Sequence, residues 1–332
     1  MTANELDGKV GQPANLIGES FAFKNMIEIA SKIAMHDVPL LIEGEAGTGK
    51  EWLARFIHYA SKRSKKDFVS IDAKSGTERL LEAEFFGYVR GSFTGAIHDK
   101  DGLLEIAQKG TLFFDFIEET SLSFQGKLNK LLKDKVFRKI GAVSEKESDV
   151  RLIAATEKDL RELVSKNKFS KDLYYQLNVI KITIPPLRER REDIVVLANH
   201  FLNDAIKREG SERKELTKAS EALLVNYYWP GNIRELKNEV ERSVIVSGKT
   251  KRVSPDFFSK HISGGKRLGK SSYSNAGNSL KAQKKALVSD LEKKAIGEAL
   301  DKTGGNRTRA ASILQISRQE LIRKISAYKI KH

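Results

Sequence analysis

Residues 37–56 read DVPLLIEGEAGTGKEWLARF, and the order of residue types in this stretch decides the fold. DVPLLIE is an apolar run of strand length. Gly44-Glu45-Ala46-Gly47-Thr48-Gly49-Lys50 follows and fits G-x-x-x-x-G-K. Trp52, Leu53, Phe56, Ile57 and Ala60 then recur at helical spacing. In a strand, glycine loop and helix of this kind, backbone N–H groups converge on phosphate oxygens, a lysine adds a point charge, and the helix N-terminus adds its dipole. The competing reading is a chance glycine turn before a helix. The flanking strand and helix favour nucleotide binding, with ATP or ADP as the expected ligand. The eighth position, where Ser or Thr usually meets Mg²⁺, is Glu51.

Outward from this loop, FVSID (68–72), TLFFDF (111–116), RLIAAT (151–156) and VIKITI (179–184) read as further strands, with helical patterns between them. Alternating strands and helices predict an α/β fold, a mostly parallel sheet covered on both faces. Asp115 closes one inner strand and suits Mg²⁺ held directly or through water. Alone it is also an ordinary strand-end acid. In a hydrolysing site a second carboxylate usually follows such an Asp, and here Phe116 does. After Pro185-Pro186 the strands stop, and 192–207, 217–227 and 232–247 read as three helices.

The 332 residues are 40% hydrophobic and 31% charged, which allows two or three domains with cores of their own. There is no cysteine, so thiolate metal sites and disulfides are excluded, and a cytoplasmic protein is expected. The six histidines (His36, His58, His98, His200, His261 and His332) are scattered without a ligand-like pair. No secretory signal opens the chain and no apolar run approaches the roughly 18 residues of a membrane span. Net charge is +15, and residues 264–332 hold 16 Lys and Arg against five Asp and Glu. Such a basic segment suits nucleic acid or, equally on charge alone, a solvated tail.

A family resemblance enters at EFFGYVRGSFTGA (84–96). Gly91-Ser92-Phe93-Thr94-Gly95-Ala96 resembles the GAFTGA loop of bacterial enhancer-binding proteins, the AAA+ activators of sigma-54 RNA polymerase. A glycine-flanked tip of this kind suits a mobile loop that presents Phe93 and Thr94 to a partner. A buried turn with Phe93 as anchor is the plainer reading of the hexamer by itself. Leu16-Ile17-Gly18-Glu19-Ser20 looks like the family's opening motif, where the adenine end is held, so Ile17 and Gly18 are expected there. GEAGTGKE is similar to the family's phosphate loop, Glu51 included. PPLRER (185–190) and WPGNIREL (229–236) also match, and the latter implies that Arg234 is the sensor arginine of a helical lid. With no receiver domain in front, the layout is similar to the short phage-shock activators. The resemblance implies an AAA+ P-loop domain and a partnership with sigma-54 polymerase and an upstream double-stranded DNA site. It also implies self-association from dimer to hexamer.

The departures from the family pattern at the nucleotide site all concern hydrolysis. The family writes Asp-Glu where this chain has Asp115-Phe116. A phenyl ring cannot accept a proton, so a contribution of typically about 10²–10⁴-fold is expected to be missing. Glu118 and Glu119 are close in sequence, with directions the sequence leaves open. The family's A-T-N sensor is Ala155-Thr156-Glu157, and an ionised Glu157 accepts but cannot donate to phosphate. The two trans-acting arginine positions are Ser170 and Gln176. An arginine finger is worth about 10³–10⁵ in other nucleotide hydrolases. Adjacent Lys171 lacks the bidentate fork. Nucleotide binding without efficient turnover is the expectation. The alternative role is a regulator that represses, or that joins a hetero-oligomer with an intact activator.

The C-terminal stretch 291–330 resembles a Fis-type helix-turn-helix. Helical patterning breaks at Gly304-Gly305-Asn306, continues over 308–314, and restarts from Ser317 with the capping box Ser317-Arg318-Gln319-Glu320. Leu314, Ile316, Leu321 and Ile325 form an apolar stripe. Arg307, Arg309, Ser317, Arg318, Gln319, Arg323 and Lys324 are the candidate DNA contacts, with the last four charged or amide side chains expected exposed. A basic helical dimerisation module is the competing reading. The family's turn glycine is Gln315 here, a substitution costing about 1 kcal/mol if that position is left-handed. The expected partition is an N-terminal tail (1–12), an AAA+ α/β subdomain (13–184), a helical lid (185–263), a flexible basic linker (264–285) and the helix-turn-helix (286–332).

Overall fold

The computed structural model describes residues 16–264 together with 296, 299–300, 303–304, 306–314 and 316–328. The expected tail (1–12), nearly all of the expected linker, and Gln315 lie outside the described residues. Five strands form one parallel sheet: β1 (Leu40–Glu43), β2 (Phe68–Asp72), β3 (Thr111–Asp115), β4 (Arg151–Thr156) and β5 (Ile180–Thr183), in the order β2-β3-β4-β1-β5. They are the five runs picked out by hydrophobicity.

Period-two alternation explains why the middles of the inner strands are apolar on both faces. On β3, Leu112 and Phe114 enter one core while Phe113 enters the other. On β4, Leu152 and Ala154 face the first core, and Ile153 and Ala155 the second. A strand covered on both faces has no room for polar side chains unless they are bonded. Arg151, 3% exposed, meets that condition. Its guanidinium donates to the carbonyls of Ala34 (2.9 Å) and Ile33 (3.2 Å) at the C-terminal end of helix α1 (Phe21–Ala34), where orphan carbonyls need donors.

Helix α1 and helix α2 (Lys50–Tyr59) supply one core. Helices α3 (Glu78–Phe86) and α4 (Leu122–Asp134) supply the other, with Phe85, Phe86, Phe114 and Phe124 in mutual edge and tilted contacts. Helix α5 (Lys171–Leu177) packs on α4. Beyond the sheet, α6 (Arg191–Glu209), α7 (Lys218–Asn226) and α8 (Asn232–Val246) enclose a third core around the fully buried Trp229, whose indole donates to Leu224 O at 2.8 Å.

Residues from Gly269 onward form a separate compact unit. Its described helices are α9 (Arg307–Ile313) and α10 (Arg318–Tyr328). Asn306 caps α9, its side chain accepting from Thr308 and Arg309 N–H. Leu321 and Ala310 centre a small core that Leu314, Ile316 and Ile325 border, as the apolar stripe predicts.

Candidate functional site

The phosphate loop leaves β1 with Gly44 N–H donating to Thr156 O at 3.1 Å, so it starts anchored to the neighbouring strand. Gly47 (φ +74°) and Gly49 (φ +99°) take left-handed conformations that an L side chain rarely adopts. A Cβ on Gly47 would also lie 2.2 Å from Gly231 O. The Thr48 hydroxyl donates to Glu45 O at 2.8 Å and closes the turn. Lys50, 5% exposed, turns its ammonium into the loop, 3.0 Å from Gly44 O and 3.3 Å from Glu45 O. Two left-handed glycines, an enclosed cation and the N-terminus of α2 at one point fit a nucleotide polyphosphate. Glu51 turns away, its carboxylate paired with Arg55 (2.7 Å) on the outer face of α2.

Asp115 ends β3 beside this loop. Its carboxyl is held above the usual carboxylate range by burial first, with Asp72 and Glu157 adding to the effect and Lys50 opposing it. A half-buried acid of this kind near a lysine fits a magnesium ion, which when bound would neutralise phosphate charge. Phe116 adopts a left-handed conformation (φ 56°, ψ 45°) that turns the chain into a short 3-10 segment. Its ring lies 5.8 Å from the Lys50 ammonium and 3.6 Å from that of Lys74. The two carboxylates that follow each have a partner. Glu118 is buried and accepts from Glu157 N–H at 3.0 Å. Glu119 pairs with Lys158 at 2.7 Å, which holds its carboxyl below the usual range. Glu157 itself reaches Lys50 at 3.3 Å and Lys74 at 3.7 Å.

The lid grips the loop from the other side. Ile233 N–H donates to Gly47 O at 2.9 Å, and the fully buried Asn232 amide donates to Ala46 O (3.0 Å) and Glu45 (3.2 Å) while accepting from Leu187 N–H (2.8 Å). Arg188 forks onto both Glu45 oxygens at 2.7 and 2.6 Å, pushing that carboxyl down. Arg190, 2% exposed, donates to Thr48 O at 3.1 Å. Arg234 lies at the same helix start with its side chain exposed. A cleft of about 420 Å³ at the carboxyl ends of β1, β4 and β5 adjoins this grip and is lined in part by Glu45, Glu157 and Arg188.

At the opening motif, Ile17 packs against the lid core, and a Cβ on Gly18 would meet the Phe23 ring at 2.6 Å. Fully buried Asp193, on α6, accepts from Glu19 and Ser20 N–H at 2.7 Å each and from the Ser20 hydroxyl at 2.8 Å. Sequence reasoning missed Asp193, Asn232 and Lys74. The one available signal was that Asn232 stands inside WPGNIREL and Asp193 just after PPLRER, each at or near a helix start.

Residues 91–96 span a loop carried by an antiparallel ribbon in which Gly87 pairs with Asp101 and Tyr88 with Lys100. Gly91 (φ +79°) and Gly95 (φ +104°) sit in open space, and Gly91 N–H donates to Ala96 O at 2.8 Å. Ser92 is half-buried, Thr94 is exposed, and Phe93 is 45% exposed against the Tyr88 ring. The buried-turn alternative for Phe93 does not hold, because the anchor of this loop is Ala96 at 5%. Beside it, Gly141 approaches Ser92 so closely that a Cβ there would lie 2.5 Å from it, which brings the exposed Val143 segment alongside.

Ser170 is the N-cap of α5, accepting from Leu173 N–H at 3.4 Å, while its own N–H donates to Gln125 at 2.7 Å. Gln176 is half-buried on the same helix and Lys171 exposed. In the C-terminal unit, Arg307, Arg309, Ser317, Arg318, Gln319 and Arg323 are exposed, and Ser317 Oγ accepts from Glu320 N–H at 3.1 Å. Lys324 is a correction. Expected exposed, it is half-buried, because it stands between Leu321 and Ile325 at the edge of the apolar stripe.

Residues 16–183 match the model of the sigma-54 interaction domain, 188–274 that of the AAA+ ATPase lid domain and 287–328 that of the Fis-family bacterial regulatory protein. The chain belongs to the sigma-54-dependent enhancer-binding regulators. This regulator is 40% identical over 324 residues to the regulatory protein AtoC of Escherichia coli, covering 96% of this chain and 68% of AtoC. It is 39% identical over 328 residues to the transcriptional regulatory protein ZraR of Salmonella typhimurium, covering 98% of this chain and 71% of ZraR. Crystallised NtrX from Brucella abortus, in complex with ATP, superposes with a TM-score of 0.70 at 27% identity over 95% of this chain and 70% of NtrX. The regulator thus combines an AAA+ ATP-binding fold and lid with a Fis-type DNA-binding helix-turn-helix, and its partners are sigma-54 polymerase and DNA. Among the described residues, no helix is long and apolar enough to cross a membrane.

Proposed function

We propose that this regulator binds Mg-ATP or Mg-ADP but turns ATP over poorly by itself. Gly44, Glu45, Ala46, Gly47, Thr48, Gly49 and Lys50 would hold the phosphates, with Ile17 and Gly18 at the adenine end, Arg234 from the lid, and Asp115 at the metal. The solved complexes of NtrX with ATP and ADP support the ligand class. One observation carries the deficit. The position after Asp115 holds a phenyl ring, while Glu119 is paired with Lys158 and one oxygen of the buried Glu118 accepts from Glu157 N–H. A water-activating carboxylate is therefore missing from that place.

Phe93 and Thr94 at the tip of the 91–96 loop would contact sigma-54. Arg318, Gln319 and Arg323 would read an upstream DNA site, with Arg307, Arg309 and Ser317 nearby and Lys324 at the edge. Assembly between dimer and hexamer would bring α5 of one copy to the next copy's nucleotide. A second reading is favoured by Ser170, whose hydroxyl is already used as a helix cap. In that reading the chain represses from its DNA site, or joins a mixed ring in which an intact activator supplies the arginines.

The test adds an intact relative such as AtoC to this chain and measures turnover and promoter opening. The main reading predicts turnover by this chain alone at least about 10²-fold below the relative. Turnover of the mixture above the sum of the two supports the mixed ring. A drop below the sum with DNA occupancy retained supports repression. Equal turnover by the two proteins alone overturns both.

A further inference from the structure

Two departures at the site join through a residue that is itself no departure. Glu157 Oε1 lies 3.3 Å from the Lys50 ammonium, and its Oε2 lies 3.7 Å from Lys74. The Lys74 ammonium rests 3.6 Å from the centre of the Phe116 ring. Aromatic faces attract cations, so Phe116 holds Lys74 where it meets Glu157. The Glu157 backbone is fixed as well, its N–H donating to the buried Glu118. Its side chain is 23% exposed, so water screens its charge only in part. The lysine of a phosphate loop reaches the β- and γ-phosphates. One of its contacts here is already a carboxylate.

We propose that Glu157 is a built-in anion at the terminal-phosphate end of the site, and that it makes the loop select a nucleoside diphosphate over a nucleoside triphosphate. A diphosphate brings only its β-phosphate to Lys50 and leaves the terminal position, where Glu157 stands, unfilled. A triphosphate brings further negative charge to the same ammonium and must displace or repel the carboxylate. Phe116 and Lys74 hold the carboxylate in place. The inference rests on the reading of 44–50 as a nucleotide site and says which nucleotide that site retains.

The experiment is calorimetric titration of the full chain with ADP and with the non-hydrolysable triphosphate AMP-PNP, each with Mg²⁺, repeated on Glu157→Gln. The wild type is expected to bind ADP at least about tenfold more tightly, a difference of about 1.4 kcal/mol. Glu157→Gln is expected to bring the two affinities within about threefold by strengthening AMP-PNP and leaving ADP nearly unchanged. Lys74→Ala gives a second arm. With Glu157 no longer held beside Lys50, the preference for ADP is expected to narrow, and a preference that is unchanged or wider overturns the holding role of Lys74. Wild-type affinities that are equal, or that favour AMP-PNP, overturn the inference alone. So does a wild-type preference that survives Glu157→Gln in a protein melting normally. Failure of both nucleotides to bind wild type and variant overturns the nucleotide-site reading and this inference with it.

Discussion

At the residue scale, the site depends on where each carboxylate points. Phe116→Glu replaces the ring with a proton acceptor, but Glu157 still occupies Lys50 and the trans arginines are still Ser170 and Gln176. The single change is therefore expected to raise ATP turnover less than about tenfold, well short of the 10²–10⁴ that a lone missing base would return. The double change Phe116→Glu with Glu157→Asn is expected to exceed the product of the single effects, since Phe116, Lys74 and Glu157 act as a unit. Steady-state phosphate release checks both. Asp115 supplies a second prediction. Burial raises its carboxyl, so the folded state resists the charged form and stability falls as pH climbs from the ordinary carboxylate range through the raised value. Asp115→Asn removes that unfavourable charge. It is expected to raise the melting temperature without nucleotide at neutral pH and to abolish the magnesium dependence of nucleotide affinity. Thermal melts with and without Mg-nucleotide read both effects.

At the element scale, the start of α8 sits on the phosphate loop, and Asn232 is its centre. Asn232→Ala leaves Leu187 N–H and the Ala46 carbonyl without their partner in a buried place, at a cost of about 1–3 kcal/mol. The expected result is a melting temperature lowered by several degrees and weaker nucleotide binding, with DNA binding by the separate C-terminal unit unchanged. Melts, nucleotide titration and a DNA shift assay check this. The elements themselves were legible in the sequence. Strand 151–156 falls where its apolar run lies, because a strand buried on both faces can be built from little else, and the edge strand 68–72 shows as an alternation of apolar and polar residues. The helix at 192–207 was legible too and extends to Arg191–Glu209. The grip between lid and loop was not legible. Asn232 and Ala46 stand 186 residues apart, and nothing in local periodicity pairs them. The directions of Glu118 and Glu119 were equally hidden, because the left-handed turn at Phe116 re-aims every side chain after it. Lys324 went wrong for a smaller reason. One position along a helix moves a side chain about 100°, and at the edge of an apolar stripe that separates exposed from half-buried.

At the scale of the whole molecule, fold stability and function respond to different variables. His58 is fully buried beside Thr111 (2.9 Å), and burial pushes its pKa below the ordinary 6.5. A histidine kept neutral in the fold contributes stability that is complete above its unfolded pKa and is lost as pH falls below it. The melting temperature is therefore expected to fall between pH 7 and pH 5, and His58→Gln is expected to flatten that part of the curve. The basic C-terminal unit responds to salt instead, through the phosphates of its DNA site. Between these lies the central claim, a regulator that keeps nucleotide and hydrolyses it poorly. Its most direct test is steady-state turnover of Mg-ATP by this chain over a concentration series that spans assembly, beside an intact relative under the same conditions. The account predicts a rate per subunit at least about 10²-fold below the relative at every concentration, even at saturating Mg-ATP. A rate that rises with assembly to match the relative would contradict it.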